Sequence, residues 1–95
     1  MAVITPTITT ADAHEYRDQM TTIESYAEGV HLDFADGQFA SSTLLPLDQA
    51  WRSDHLITHA HIMYQKPLDV IDDIMHLEAD LVVLHAESDD IKECL

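Results

Sequence analysis

Ninety-five residues with 46% apolar side chains, two glycines and three prolines argue for one folded domain and against a disordered chain, although at this length only about 60 to 65% of the unfolded surface can be buried. Eighteen acidic against four basic residues give a net charge of −14. Arg17, Arg52, Lys66 and Lys92 cannot between them form the basic patch that nucleic acid or an anionic membrane requires, so neither is expected as a partner.

No apolar run approaches the ~18 residues of a membrane span, and the N-terminal Met-Ala-Val-Ile-Thr-Pro lacks the basic region of a signal peptide. Cys94 is the only cysteine, which leaves no internal disulfide framework and favours a reducing, cytoplasmic location.

Taken in order, Val3 to Ile8 is β-branched and apolar apart from its threonines, and predicts a short first strand made irregular by Pro6. Thr9, Thr10 and Asp12 offer helix caps, and Tyr16, Met20, Ile23 and Ala27 recur at helical spacing, so a first helix follows. Gly29 is a natural stop for it. Val30 to Phe34 then alternates, with Val30, Leu32 and Phe34 on one face and His31 and Asp33 on the other, as a half-polar second strand does. Asp36-Gly37 predicts a turn, and Ala40 to Thr43 a loop over the strand ends.

Leu44 to Trp51 is a short helix at best, with Trp51 a packing anchor. Leu56 to Ile62 predicts a third strand carrying His59 and His61 on one face. Pro67 at a first helical position, with Leu68, Ile71, Ile74 and Met75 behind it, marks another helix, and Met20 and Met75 fit helix core positions. His14, His55 and His76 fall on helices or a loop as solvated side chains. Leu81 to Leu84 is a continuous apolar run suited to a fourth strand covered on both faces, and Asp89 to Leu95 begins a fourth helix. Strand starts near 30, 56 and 81 recur about every 25 residues, the size of one βα unit. The expected fold is α/β: four βα units in a single domain, residues 1–95, ending within the fourth helix.

Parallel neighbouring strands would bring His31, Asp33 and His61, with His59 a layer deeper, to one end of the sheet. Neutral imidazole and carboxylate suit Zn, Fe(II), Mn or Co, and three ligands leave positions open for substrate or water. From spacing alone, a strand histidine hydrogen-bonded to its neighbours is the commoner reading of His-x-Asp, and His59 is as well read as a core residue as an outer partner that orients a ligand.

Four motifs, Pro6-Thr7-Ile8-Thr9-Thr10-Ala11-Asp12, His31 through Phe39, Ala60-His61-Ile62-Met63 and Val83-Leu84-His85-Ala86-Glu87, together resemble the ribulose-phosphate 3-epimerase family in order and spacing across nearly the whole chain. The resemblance implies a TIM (β/α)8 barrel, of which these four units are the N-terminal half, and an isomerase that inverts C3 of a ketopentose phosphate through a metal-stabilised enediolate. It implies His31, Asp33 and His61 as three of four metal ligands and Asp33 as one of two acid/base residues. His31 and His61 thereby also face the substrate. Thr10 stands in for a serine that touches substrate, Met63 for a methionine that shields the intermediate, and His85 for a histidine at the end of the fourth strand. Ala35 departs from the family, which carries another shielding methionine there.

The resemblance also places the fourth ligand, the second acid/base aspartate and the glycine-rich phosphate loops in a second half-barrel that these residues do not include. The chain alone is therefore expected to be inactive, to hold its metal weakly or not at all, and to engage a sugar phosphate only as part of a full barrel. A related decarboxylase and synthase group shares the barrel but carries a lysine at the third strand, which Ala60-His61-Ile62-Met63 lacks. The rival reading is a non-catalytic half-barrel assembly unit. In either case unpaired sheet edges and an uncovered inner face predict self-association as a homodimer or higher oligomer.

Overall fold

In a computed structural model, which describes residues 5–37 and 43–84, four strands form one parallel sheet in the order β1 (Thr7–Ile8), β2 (Gly29–Ala35), β3 (Ile57–Met63) and β4 (Leu81–Leu84). Helix α1 (Ala13–Glu24) connects β1 to β2, and a short 3-10 turn, Pro67–Val70, runs into helix α2 (Ile71–Leu77) between β3 and β4. The expected half of an α/β barrel is what the chain builds, with four parallel strands alternating with helices or turns. Residues 85–95, including His85 and the expected fourth helix, lie outside the described residues, as do Ala40 to Ser42 of the expected loop.

The alternation read from β2 decides where the core lies. Val30, Leu32 and Phe34 are fully buried on the helix side with Tyr16, Met20 and Ile23 of α1, Ala60 and Ile62 of β3, and Ile74 and Leu77 of α2. His31 and Asp33 take the other face, half-buried. The Tyr16 hydroxyl donates to the Trp51 carbonyl at 2.6 Å and the two rings meet edge-on at 5.5 Å, so Trp51 anchors the loop from one side while its other side stays in water. Burial pushes the Tyr16 phenol up to about 12, its bond to Trp51 opposing the shift.

Several boundaries differ from expectation for identifiable reasons. Strand β1 is only two residues long within the described part, yet the ladder continues past it, because the Pro6 carbonyl accepts from His31 N–H at 2.8 Å although proline has no N–H to give. The Asp12 side chain caps α1 by accepting from His14 and Glu15 N–H, and the helix ends at Glu24 with Ser25 as its cap. Gly29 is not the helix stop but the first residue of β2, where an added Cβ would sit 3.2 Å from the Ile57 carbonyl oxygen. Gly37 does make the turn, at φ +83°, with Asp36 bridging Thr43. Leu44 to Trp51 holds only a 3-10 turn, Leu47–Gln49. Strand β3 runs one residue later than expected.

The Pro67 segment holds the clearest correction. Its first turn is 3-10, and the apolar stripe that continues into α2 runs through Val70, Ile74 and Leu77, which leaves Met75 about 100° round the helix from Ile74. Ile74 and Leu77 then face the core and Met75 is 70% exposed, not a core residue. His14, His55 and His76 are exposed, as expected.

The N-terminal end of the sheet is tied by Asp80 and Arg52. Asp80 Oδ2 accepts from Thr58 N–H at 2.7 Å and lies 3.2 Å from the Arg52 guanidinium, which also donates to the Leu56 and Glu78 carbonyls. The Thr58 N–H, with a smaller contribution from Arg52, holds the Asp80 carboxyl below its ordinary 3.8. A depressed folded value means that the unfolded chain takes up this proton first as pH falls. The stabilisation is complete above 3.8 and is lost as pH drops through the folded value. Urea midpoints of the native protein and Asp80→Asn are therefore expected to differ at about pH 6 and to converge as pH falls below 3.8; a constant difference would contradict this role.

Candidate metal centre on the inner sheet face

Sheet register assembles the site. Parallel pairing sets Asp33 opposite His61, His31 between Thr7 and His59, and Ala35 opposite Met63, so every second side chain of β2 and β3 points to the same inner face. His31 Nε2 lies 3.1 Å and His61 Nδ1 3.4 Å from one atom, Asp33 Oδ1, and the two imidazole rings meet edge to face with centroids 5.7 Å apart. One ligand atom from each of the three residues falls within 4.8 Å of the others. The side chains are 31%, 17% and 26% exposed for His31, Asp33 and His61, open enough for a small ligand to reach them.

Asp33 Oδ1 is cut off from water and accepts no hydrogen bond of ordinary geometry, although both imidazole nitrogens are within ion-pair range. A buried carboxylate oxygen left this way costs about 1–3 kcal/mol or more. Two imidazole nitrogens and a carboxylate oxygen crowded about one point are the donor set of a divalent transition ion, and an ion there would satisfy Oδ1. The residues present therefore fit a metal.

The other candidates divide. Met63 closes β3 beside Ala35 at the upper rim of the same face. His59 shares the face one register step below His61, in line with His31, and is not one of the three that converge. Thr10 is buried, and its hydroxyl accepts from Asp12 N–H at 3.2 Å at the start of α1. The neighbouring Thr9 reaches the cluster instead, donating to Asp33 Oδ2 at 2.9 Å. The signal for it is the period of two, since Ile8 is buried on the helix side and so places Thr7 and Thr9 on the inner face.

Residues 3–95 match the family described as Ribulose-phosphate 3 epimerase family. The chain belongs to the ribulose-phosphate 3-epimerase family. A ribulose-phosphate 3-epimerase of Treponema pallidum (strain Nichols) is 30% identical over 90 residues, an alignment that takes in 90% of this chain and 41% of that enzyme. The chain thus spans about two fifths of the length of that epimerase relative. Among the described residues no helix is long and apolar enough to cross a membrane.

Around the candidate site, beside His59 and Thr7, the inner face also carries exposed apolar side chains. Ile57, Leu81 and Val83 project there at 59%, 50% and 39% exposure, so β4 is not covered on both faces as its apolar run suggested. In a barrel this face is the packed interior.

Proposed function

We propose that these residues supply the first four βα units of a metal-dependent ribulose-phosphate 3-epimerase-like isomerase, acting at C3 of a pentose phosphate. The observation that carries the reading is the convergence of His31, Asp33 and His61 near the C-terminal ends of β2 and β3 in a chain of this family. His31, Asp33 and His61 would hold the ion, with Zn, Fe(II), Mn and Co all suited to the donor set. When bound, it would supply Lewis-acid polarisation of a substrate oxygen.

The remaining chemistry belongs to the chain. An Asp33 carboxylate oxygen takes the proton from C3, and the electron pair left behind passes toward the adjacent C2 carbonyl of the sugar. The same carboxyl can return a proton only to the face it came from, so inversion needs a second acid on the other side. Met63 would shield one side of the substrate carbon from water, and Ala35, opposite it, would leave the cover thinner. The family resemblance assigns substrate contacts to Thr10 and His85 as well. A cytoplasmic location accords with a chain whose only cysteine is Cys94.

The one-sided base sets the test. Incubated in heavy water with added divalent metal and ribulose 5-phosphate, the 95-residue chain is expected to produce no net epimer, and any deuterium incorporated at C3 is expected to vanish in Asp33→Asn. Net epimerisation by this chain, or exchange that survives Asp33→Asn, would contradict the assignment.

A second reading, a half-barrel unit that assembles without catalysis, is favoured by the exposed Ile57, Leu81 and Val83 and by the outer positions of β1 and β4 in the sheet. A second copy of the chain would cover the apolar face or extend the sheet at an edge. Sedimentation at micromolar concentration is expected to give a dimer or larger species, and Leu81→Lys to shift it toward monomer. A folded monomer across that range would contradict self-association.

A further inference from the structure

Asp33 has two oxygens in different circumstances. Oδ1 faces both imidazoles and accepts no hydrogen bond, while Oδ2 accepts from the Thr9 hydroxyl at 2.9 Å. Thr9 comes directly after β1, so this bond joins the sheet's first strand to its second above the last paired residues, Ile8 of β1 and Leu32 of β2.

We propose that Thr9 is a positioning residue that fixes the Asp33 carboxylate so that Oδ1 alone is presented between His31 and His61. The proposal deepens the metal reading and rests on it for its consequence. An aspartate held by one oxygen offers a single donor in a defined direction, and with two imidazoles this makes a compact three-donor site for a small transition ion. A carboxylate free to turn can offer both oxygens, the mode that larger, oxygen-seeking cations such as Ca²⁺ use. Outer partners that orient a ligand typically change metal affinity by about 10- to 100-fold when removed.

The geometry also sets which substitutions matter. Valine keeps the size and β-branching of Thr9 and removes only the hydroxyl, whereas serine keeps the hydroxyl and removes a methyl group. Thr9 is exposed, so neither change opens a core cavity.

Two measurements separate this proposal from the metal reading. In metal-free protein, the side-chain ¹⁵N resonances of His31 and His61 report the position of the Asp33 carboxylate. They are expected to move together in Thr9→Val and to stay near their native positions in Thr9→Ser, with distant amide resonances unchanged in both. Unmoved imidazole resonances in Thr9→Val overturn the proposal whether or not metal binds. In a Co²⁺ titration monitored by its visible absorption, Thr9→Val is expected to bind about ten-fold or more weakly than native protein, with Thr9→Ser restoring most of the loss. Equal affinity of native and Thr9→Val protein overturns the proposal. A native protein whose Co²⁺ spectrum shows no imidazole ligation overturns the metal reading instead, and the proposal then stands or falls on the metal-free resonances.

Discussion

Replacing His61 by alanine is expected to weaken binding of Co²⁺ or Zn²⁺ by more than about 100-fold, beyond what an outer-sphere change usually costs. Three donors meet at the site, from three residues on two adjacent strands, and His61 is the only one that β3 contributes. Without it, His31 and Asp33 remain, two residues apart on one strand, a pair that exposed surfaces offer commonly. The fold should survive the change, because His61 points to the open inner face and is not part of the packed cluster. Titration with either ion against a chromophoric chelator measures the loss. His31→Ala should behave alike, whereas His14→Ala and His76→Ala, exposed on their helices, should bind as the native protein does.

Phe34→Ala is expected to destabilise the fold by about 3–5 kcal/mol. Phe34 is fully buried in the core cluster of the described residues and shares its strand with the candidate ligands His31 and Asp33. A chain of this length has a total stability of roughly 5 to 14 kcal/mol, so the loss takes a third or more of it over much of that range. Urea denaturation should show a strongly lowered midpoint with cooperative unfolding, or a chain already unfolded in buffer. Metal affinity should fall with the folded fraction and return when the fold is restored by an osmolyte such as sucrose. A change within about 0.5 kcal/mol, the usual range for surface substitutions, would mean that Phe34 does not occupy the core.

The parts of the fold that were legible in the sequence are those where one local period governs. Between Gly29 and Ala35 strict alternation tells strand from helix, sorts the core face from the site face and pairs His31 with Asp33. Tyr16, Met20 and Ile23 reveal α1 by the same logic at a period of about 3.6. Where two apolar stripes overlap, legibility is lost. Ile71, Ile74 and Met75 make one stripe of α2 and Val70, Ile74 and Leu77 another, and Met75 looks apolar and helical in sequence yet faces water.

The candidate site was legible in its proposed ligands and less so in their support. His31, Asp33 and His61 announce themselves as residue types, and register then brings them together. Thr9 and Thr10 are chemically identical neighbours, and only the burial of Ile8 fixes which one turns inward. Gly29 reads equally well as a helix stop or as a strand residue, and the approach of the Ile57 carbonyl, far along the chain, decides between them. Long-range proximity of this kind has no local signature.

Metal content alone is a weak test of the centre, because a chain with a net charge of −14 gathers cations on its surface carboxylates. X-ray absorption at the Zn²⁺ edge of the stoichiometrically loaded protein tests it directly, since imidazole rings give outer-shell scattering that carboxylates and water do not. A centre held by His31, Asp33 and His61 predicts a first shell of nitrogen and oxygen with two imidazoles, falling to one in His61→Ala. An oxygen-only shell, unchanged by that substitution, would contradict it.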